Sequence, residues 1–198
     1  MKNNKTLKNA PHRGFTLIEL MVGIAVIAII IAIGVPSFNR LISSQTTAAT
    51  ASRLSNALAY ARSEAVTRST NVTICASDDG ATCSGSSLWN NGWIVFLDNN
   101  TTSGSTGSVD TNEEVLKVED IDSLSVGVNG DAAFVAYNRL GESINGVSGS
   151  TLDFTVAGRN TSTSARIVAV NKQGSVSVKI DDGVSVAAIA ASLSLIHI

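Results

Sequence analysis

The sequence predicts an α+β protein in which one long N-terminal helix packs on antiparallel β-sheets. Three observations carry that expectation. Residues Phe15–Val35 form a nearly unbroken apolar run. Ala51, Leu54, Leu58, Ala61 and Ala65 recur at steps of three and four. From Asn71 onward, short β-branched and aromatic runs alternate with Gly, Asn, Ser and Asp clusters. A chain of 198 residues suits one domain of ordinary size plus an extra segment.

Composition narrows the function classes. Charged residues make up 15% of the chain and the net charge is -2, so no strong field calls for nucleic acid or an acidic partner. Mean hydropathy is +0.23, and the excess sits in one block near the N-terminus. The two histidines, His12 and His197, lie at the extreme ends. The body therefore offers no Ser-His-Asp triad, no Cys-His pair and no histidine metal site. With no nucleophile or acid/base cluster either, a membrane-tethered enzyme is the weakest reading, and no cofactor is expected.

Residues 1–14 are polar and basic, with Lys2, Lys5, Lys8, His12 and Arg13 ahead of Gly14. The apolar run that follows matches the roughly 20 residues a helix needs to cross a bilayer. The basic flank keeps the short N-terminal end in the cytoplasm, so the chain beyond Pro36 faces outward. A secretory signal would be shorter and would end in small residues of the Ala-x-Ala kind.

Glu19 is the anomaly of this segment. A carboxylate within a membrane helix costs roughly 2.5–3.5 kcal/mol on insertion scales and is functional by default. Its span offers no positive partner, but a cut after Gly14 would create one, the new amine of Phe15. Glu19 of one subunit would then neutralise the Phe15 amine of a neighbour. The alternative is a side chain that snorkels to the interface.

Gly14-Phe15-Thr16-Leu17-Ile18-Glu19-Leu20 resembles the prepilin cleavage motif of type IV pilins and type II secretion pseudopilins. The resemblance implies cleavage between Gly14 and Phe15 by a prepilin peptidase, N-methylation of Phe15, and extraction into a filament by an assembly ATPase, with an inner-membrane assembly platform among the partners. It also implies that Glu19 is the assembly determinant, and that the partners are other pilins or pseudopilins. ARSEAVTRSTNVTIC, then Cys83 and WNNGWIVFLD, resembles the GspH/FimT family, which extends the similarity to about Ile180. The implied fold is type IV pilin-like and the implied location is the bacterial inner membrane, with the C-terminal domain in the periplasm. The expected function is a FimT-like minor pilin, with a GspH-like pseudopilin of type II secretion as the alternative.

The remaining elements follow in order. The leader is residues 1–14, the transmembrane helix 15–36, and an amphipathic continuation 37–69. Pro36 should bend or locally break the helix. Phe38, Leu41 and Ile42 continue the apolar face, and Glu64 and Arg68 suit an i,i+4 pair. A β-rich domain occupies residues 70–182. Its strands are expected at Asn71–Ala76, Gly92–Leu97, Glu114–Val118, Leu124–Val128, Ala132–Tyr137, Thr151–Val156, Arg166–Val170 and Val176–Ile180. Asn99–Thr111 reads as a polar loop.

Cys75 and Cys83 fit neither a CxxC redox pair nor a zinc site. In an exported domain they read as a disulfide, worth roughly 2–3 kcal/mol by chain entropy; the alternative is two reduced thiols. Trp89, Trp93 and Phe96 should anchor the core beside it. Asp98, Asn100 and Thr102 before Gly104 faintly resemble the start of a calcium loop, but no glutamate stands at the twelfth position, so no metal is expected.

Some FimT-like pilins bind DNA through a Gly-Arg-x-Arg loop near the C-terminus. The matching stretch here is Gly174-Ser175-Val176-Ser177, where Ser175 and Ser177 stand in place of both arginines. Lys172, Lys179, Arg159 and Arg166 leave some positive charge nearby, while Asp181 and Asp182 oppose it. DNA binding is therefore not expected.

Residues 183–198 form a tail, and its last six, Leu193-Ser194-Leu195-Ile196-His197-Ile198, are what CTGTCTCTTATACACATC encodes. That string matches a transposase adapter of sequencing libraries, so the reading frame is expected to run from a gene into adapter at residue 193. Resequencing the locus from a library free of that adapter should replace these six codons. Their persistence would identify a genuine tail.

Overall fold

Helix α1 spans Leu17–Arg68, 52 residues with no break at Pro36. A proline removes one backbone bond and crowds one turn. The helix nevertheless runs on through Val35, Pro36 and Ser37, so the local break expected there does not occur. The helix ends in a Schellman motif: the Thr70 N–H donates to the Ala65 carbonyl (3.2 Å) and the Ser69 N–H to that of Val66 (3.3 Å). Ser69 holds the left-handed position at φ 54°, where glycine is usual. Arg68 closes the last turn, 2.7 Å from Glu64, in the exposed i,i+4 pair that the spacing indicates.

The computed structural model describes residues 14–99, 107–110, 112–121, 125–145, 151–158 and 165–181. Two compact units divide the chain, residues 1–39 and 40–198. In the first, the side chains of the apolar helix are exposed, from Leu17 (76%) to Ile33 (68%). An 18-residue window of α1 reaches a mean hydropathy of 2.8, enough to cross a membrane by length and composition. Phe38, in the first unit, is exposed as well, and in the second unit Leu41 and Ile42 are half-exposed and do not join the core.

Among the described residues eight strands follow: β1 Asn71–Ala76, β2 Gly92–Asp98, β3 Val115–Asp120, β4 Val126–Gly130, β5 Phe134–Tyr137, β6 Leu152–Gly158, β7 Ala165–Val170 and β8 Val176–Asp181. They form two four-stranded antiparallel sheets, ordered β3-β2-β1-β5 and β4-β6-β7-β8. Ala51, Leu54, Leu58, Ala61 and Ala65 of α1 are all buried, and Ala57 joins them. They pack with Val72, Ile74, Trp93 and Val95 of the first sheet and with Phe154, Val156 and Val168 of the second. Each fully buried Leu or Val contributes roughly 1.5–3 kcal/mol.

The link between β1 and β2 ties the sheets together. Trp89 is fully buried; its N–H donates to the Val128 carbonyl (2.9 Å) and its Nε1 to that of Ala132 (3.0 Å). The indole meets Phe154 edge-on, with centroids 5.0 Å apart. Trp89 and Trp93 thus sit in the main core. Of the three aromatics expected beside the disulfide, Phe96 alone packs there, with Cys75 and Ile94 on the opposite face of β2.

Cys75 and Cys83 form that disulfide, with Cα atoms 5.6 Å apart. Within its loop, Asp79 accepts from the Thr82 N–H (2.8 Å), the Ala81 N–H (2.8 Å) and the Thr82 hydroxyl (2.7 Å). These donors hold its carboxyl well below the usual carboxylate range, the Thr82 N–H most strongly. Stability from this depressed pKa is present above the unfolded value of roughly 4 and is lost as pH falls through the folded one.

Two substitutions probe this architecture in opposite directions. Trp89→Ala should lower stability by roughly 3–5 kcal/mol through cavity formation. Ser69→Gly should raise it by roughly 0.5–1 kcal/mol by relieving the left-handed residue. Urea unfolding of the detergent-solubilised chain, followed by tryptophan fluorescence for Ser69→Gly and by circular dichroism for both, measures each change.

Candidate functional site

The residues with the strongest chemical signature open the first unit. Gly14, Phe15 and Thr16 precede the helix, and Phe15 is 86% exposed. A Cβ built on Gly14 meets no heavy atom within 4 Å, and its φ is not positive, so the chain's own packing does not require glycine there.

Thr16 and Glu19 form a reciprocal capping box at the start of α1. The Glu19 N–H donates to the Thr16 hydroxyl (3.2 Å), and the Thr16 N–H approaches the Glu19 carboxylate (3.5 Å). The sequence carries the signal for this box, Thr-x-x-Glu ahead of an apolar run. Placing a carboxylate in the first turn also opposes the positive end of the helix dipole. Glu19 therefore has local partners at the helix start, which neither the pairing reading nor the snorkelling reading includes.

The second candidate is the turn between β7 and β8. Asn171 organises it: the Gly174 N–H donates to its carbonyl (2.9 Å) and the Ser175 N–H to its side-chain oxygen (2.8 Å). Gly174 has φ +76° and is buried; a Cβ there would lie 2.0 Å from the Gly141 carbonyl oxygen. Arg62 of α1 clamps both turns, donating from Nε to Gly141 O (3.0 Å) and from Nη2 to Gln173 O (2.9 Å). Nothing in the pattern of the sequence announced that clamp, because its partners lie 79 and 111 residues away. Ser175, Ser177, Lys172 and Lys179 are exposed around the turn, whereas Arg159 and Asp182 lie outside the described residues.

Asp98 is fully buried, and its carboxylate accepts from the Thr73 hydroxyl (2.8 Å) and the Gly107 N–H (3.3 Å). It thus anchors a sheet and a loop end. Asn100, Thr102 and Gly104 lie outside the described residues. Among the described residues, no three His, Cys, Asp or Glu side chains gather as a metal site would need.

A long helix whose apolar first part opens with a lone carboxylate, and two antiparallel sheets that carry a small disulfide loop, define a type IV pilin-like protein. Residues 50–174, more than half of the chain, match the family described as type II transport protein GspH, and residues 9–35 match the prokaryotic N-terminal methylation motif. The chain belongs to the GspH family. No curated protein matches it. Among solved structures it is similar to the type IV minor pilin FimU of Pseudomonas aeruginosa in two crystal forms. The P21 form has a TM-score of 0.52 at 17% identity, covering 74% of this chain and 95% of FimU, and shows a shared fold. The P65 form has a TM-score of 0.49 at 18% identity, covering 68% and 94%.

Proposed function

We propose that this chain is a minor pilin, a subunit of a type IV pilus that assembles rather than catalyses. The observation that carries the reading is the N-terminal segment. It combines Gly14, which the fold does not itself demand, an exposed apolar helix that water cannot solvate cheaply, and one carboxylate at the helix start. A peptidase that fits backbone closely at residue 14 accounts for the glycine. Cleavage there leaves Phe15 as the N-terminus, available for methylation, and gives Glu19 of a neighbouring subunit a cationic partner.

On this reading the helix anchors the subunit in the inner membrane with the domain in the periplasm, and leaves the bilayer by packing against other pilins. A second reading, a GspH-like pseudopilin of type II secretion, is favoured by the family description itself. Deleting the gene and scoring both twitching motility and exoprotein release separates them. Loss of motility alone supports the pilus, and loss of release alone supports secretion.

Gly14→Glu should leave an uncleaved, membrane-retained precursor, and mass spectrometry of the wild type should show a chain starting at methylated Phe15. Glu19→Val should insert at least as well as wild type, since a charge costing roughly 2.5–3.5 kcal/mol is gone. It should nevertheless fail to enter sheared fibres. A wild-type protein that retains Met1, or wild-type incorporation of Glu19→Val, counts against the proposal.

DNA capture is a separate activity that this subunit is expected to lack. Affinity for DNA rises with the number of phosphates neutralised, and serines at 175 and 177 forgo two contacts. A gel-shift titration of the detergent-solubilised chain in roughly 0.15 M salt should show weak or no binding, and Ser175→Arg/Ser177→Arg should strengthen it. Micromolar binding without any gain from the arginines would move the site to other residues.

A further inference from the structure

An asparagine followed by glycine can react with its own backbone, because glycine has no Cβ to shield the nitrogen that follows the asparagine. Three asparagines of this chain precede a glycine: Asn91, Asn129 and Asn145. The fold restrains two of them. Asn129 lies within β4, opposite Thr155 and bridged to Leu88, and the Gly130 N–H already donates to the Ser87 carbonyl (2.9 Å). Asn145 uses both ends of its side chain on β5. Its Oδ1 accepts from the Ala136 N–H (3.0 Å) and its Nδ2 donates to the Phe134 carbonyl. Asn91 differs on each count. It is exposed, it stands in the turn before β2, and its Nδ2 donates to Asp78 (2.9 Å). Gly92 is buried, its carbonyl accepts from the Ser77 N–H (3.1 Å), and a Cβ there would lie 2.2 Å from the Glu119 carbonyl oxygen. Gly92 therefore keeps its place, and the motion that a reaction needs falls to the exposed Asn91 side chain. A hollow of about 210 Å³ beside Asn91, lined also by Asp78, Glu119 and Asp120, gives water access to the same spot.

We propose that Asn91 is a self-modification site, converted to aspartate or isoaspartate without an enzyme. The Gly92 backbone nitrogen bonds to the Asn91 Cγ as the Cγ–Nδ2 bond breaks. The proton from the Gly92 nitrogen departs with Nδ2, which leaves as ammonia. Water then opens the cyclic imide at one carbonyl or the other, so no oxidant or reductant takes part. Both products lack the donor that Asp78 accepts from, and both set a carboxylate beside it. Glu119 and Asp120 line the same hollow, so the new charge is repelled there. Asp78 belongs to the Cys75–Cys83 loop, and losing this tie loosens that loop from the start of β2. The subunit thereby acquires a mark of its age, whichever fibre it serves.

Incubating the full, detergent-solubilised chain at neutral pH, with peptide mass spectrometry at intervals, tests the site. The peptide holding Asn91 should exchange an NH for an oxygen before those holding Asn129 and Asn145 do. In heavy-oxygen water it should take up the label. In the urea-unfolded chain the three rates should converge, since the fold sets the difference. Asn91→Gln, whose longer side chain closes the ring poorly, should stay unconverted at residue 91. Asn91→Asp mimics one product and should speed amide exchange at Ala81 and Thr82 by about tenfold or more relative to wild type. Earlier conversion of Asn129 or Asn145, no conversion at residue 91, or conversion without label would overturn the proposal. So would the same order of rates in urea, or identical loop exchange in Asn91→Asp and wild type.

Discussion

One helix has to satisfy two different surroundings, and the rest of the structure depends on how its sequence divides that task. From Leu20 to Val35 α1 is apolar on every side, and its large side chains are exposed. Such a surface requires hydrocarbon or other apolar helices around it. From Ala51 to Ala65 the same helix narrows to a stripe of alanine and leucine that is wholly buried. Leu54 and Leu58 fill volume there, beside the small side chains of Ala57, Ala61 and Ala65. The two sheets share that stripe as a common floor, with Trp89 fastening one to the other.

Glu19 shows how magnitudes separate a local role from an assembly role. A capping interaction is worth roughly 0.5–2 kcal/mol, and the carboxylate end of this box is long at 3.5 Å. The cost of a carboxylate at membrane depth is roughly 2.5–3.5 kcal/mol. The box therefore offsets part of the cost and leaves the rest unmet within one chain. In the proposed assembly, a neighbour's Phe15 amine supplies the remainder. The box also orients the carboxylate along the helix start, beside its own Phe15. A pairing that forms between chains rather than within one needs this local arrangement to be weak enough to exchange.

Elements governed by local chemistry were legible in the sequence. Helix periodicity, the apolar run and the eight strands rest on neighbouring residues, and β1 matches its expected bounds at both ends. What was hidden is non-local. No pattern reveals that β1 lies between β2 and β5, or that β4 pairs with β6, because those partners are set by a core assembled from distant segments. Asp98 falls just past the expected strand in sequence, yet its hydrogen bonds to Thr73 and Gly107 place it inside the sheet. Trp89 and Trp93 were correctly read as core, but on the helix side of the sheet rather than with Cys75. Period-two alternation along β2 could have shown this, since Trp93 and Phe96 fall on opposite faces.

The turn at Gly174 illustrates why a retained motif residue need not report a retained function. Its glycine matches the first position of the DNA-binding loop that some FimT-like pilins carry, which invites the idea of a weakened site. Packing explains the glycine without DNA. A left-handed φ and a Cβ that would fall 2.0 Å from the Gly141 carbonyl exclude every other residue unless the two turns separate. Arg62, which lies closest to this turn among the helix cations, spends Nε and Nη2 on the carbonyls of Gly141 and Gln173. Releasing it toward a phosphate would strand both carbonyls and loosen the contact that Gly174 makes possible. The glycine and the arginine are thus accounted for by the fold. Lys172 and Lys179 beside the turn are exposed single charges without the forked geometry that suits arginine to phosphate.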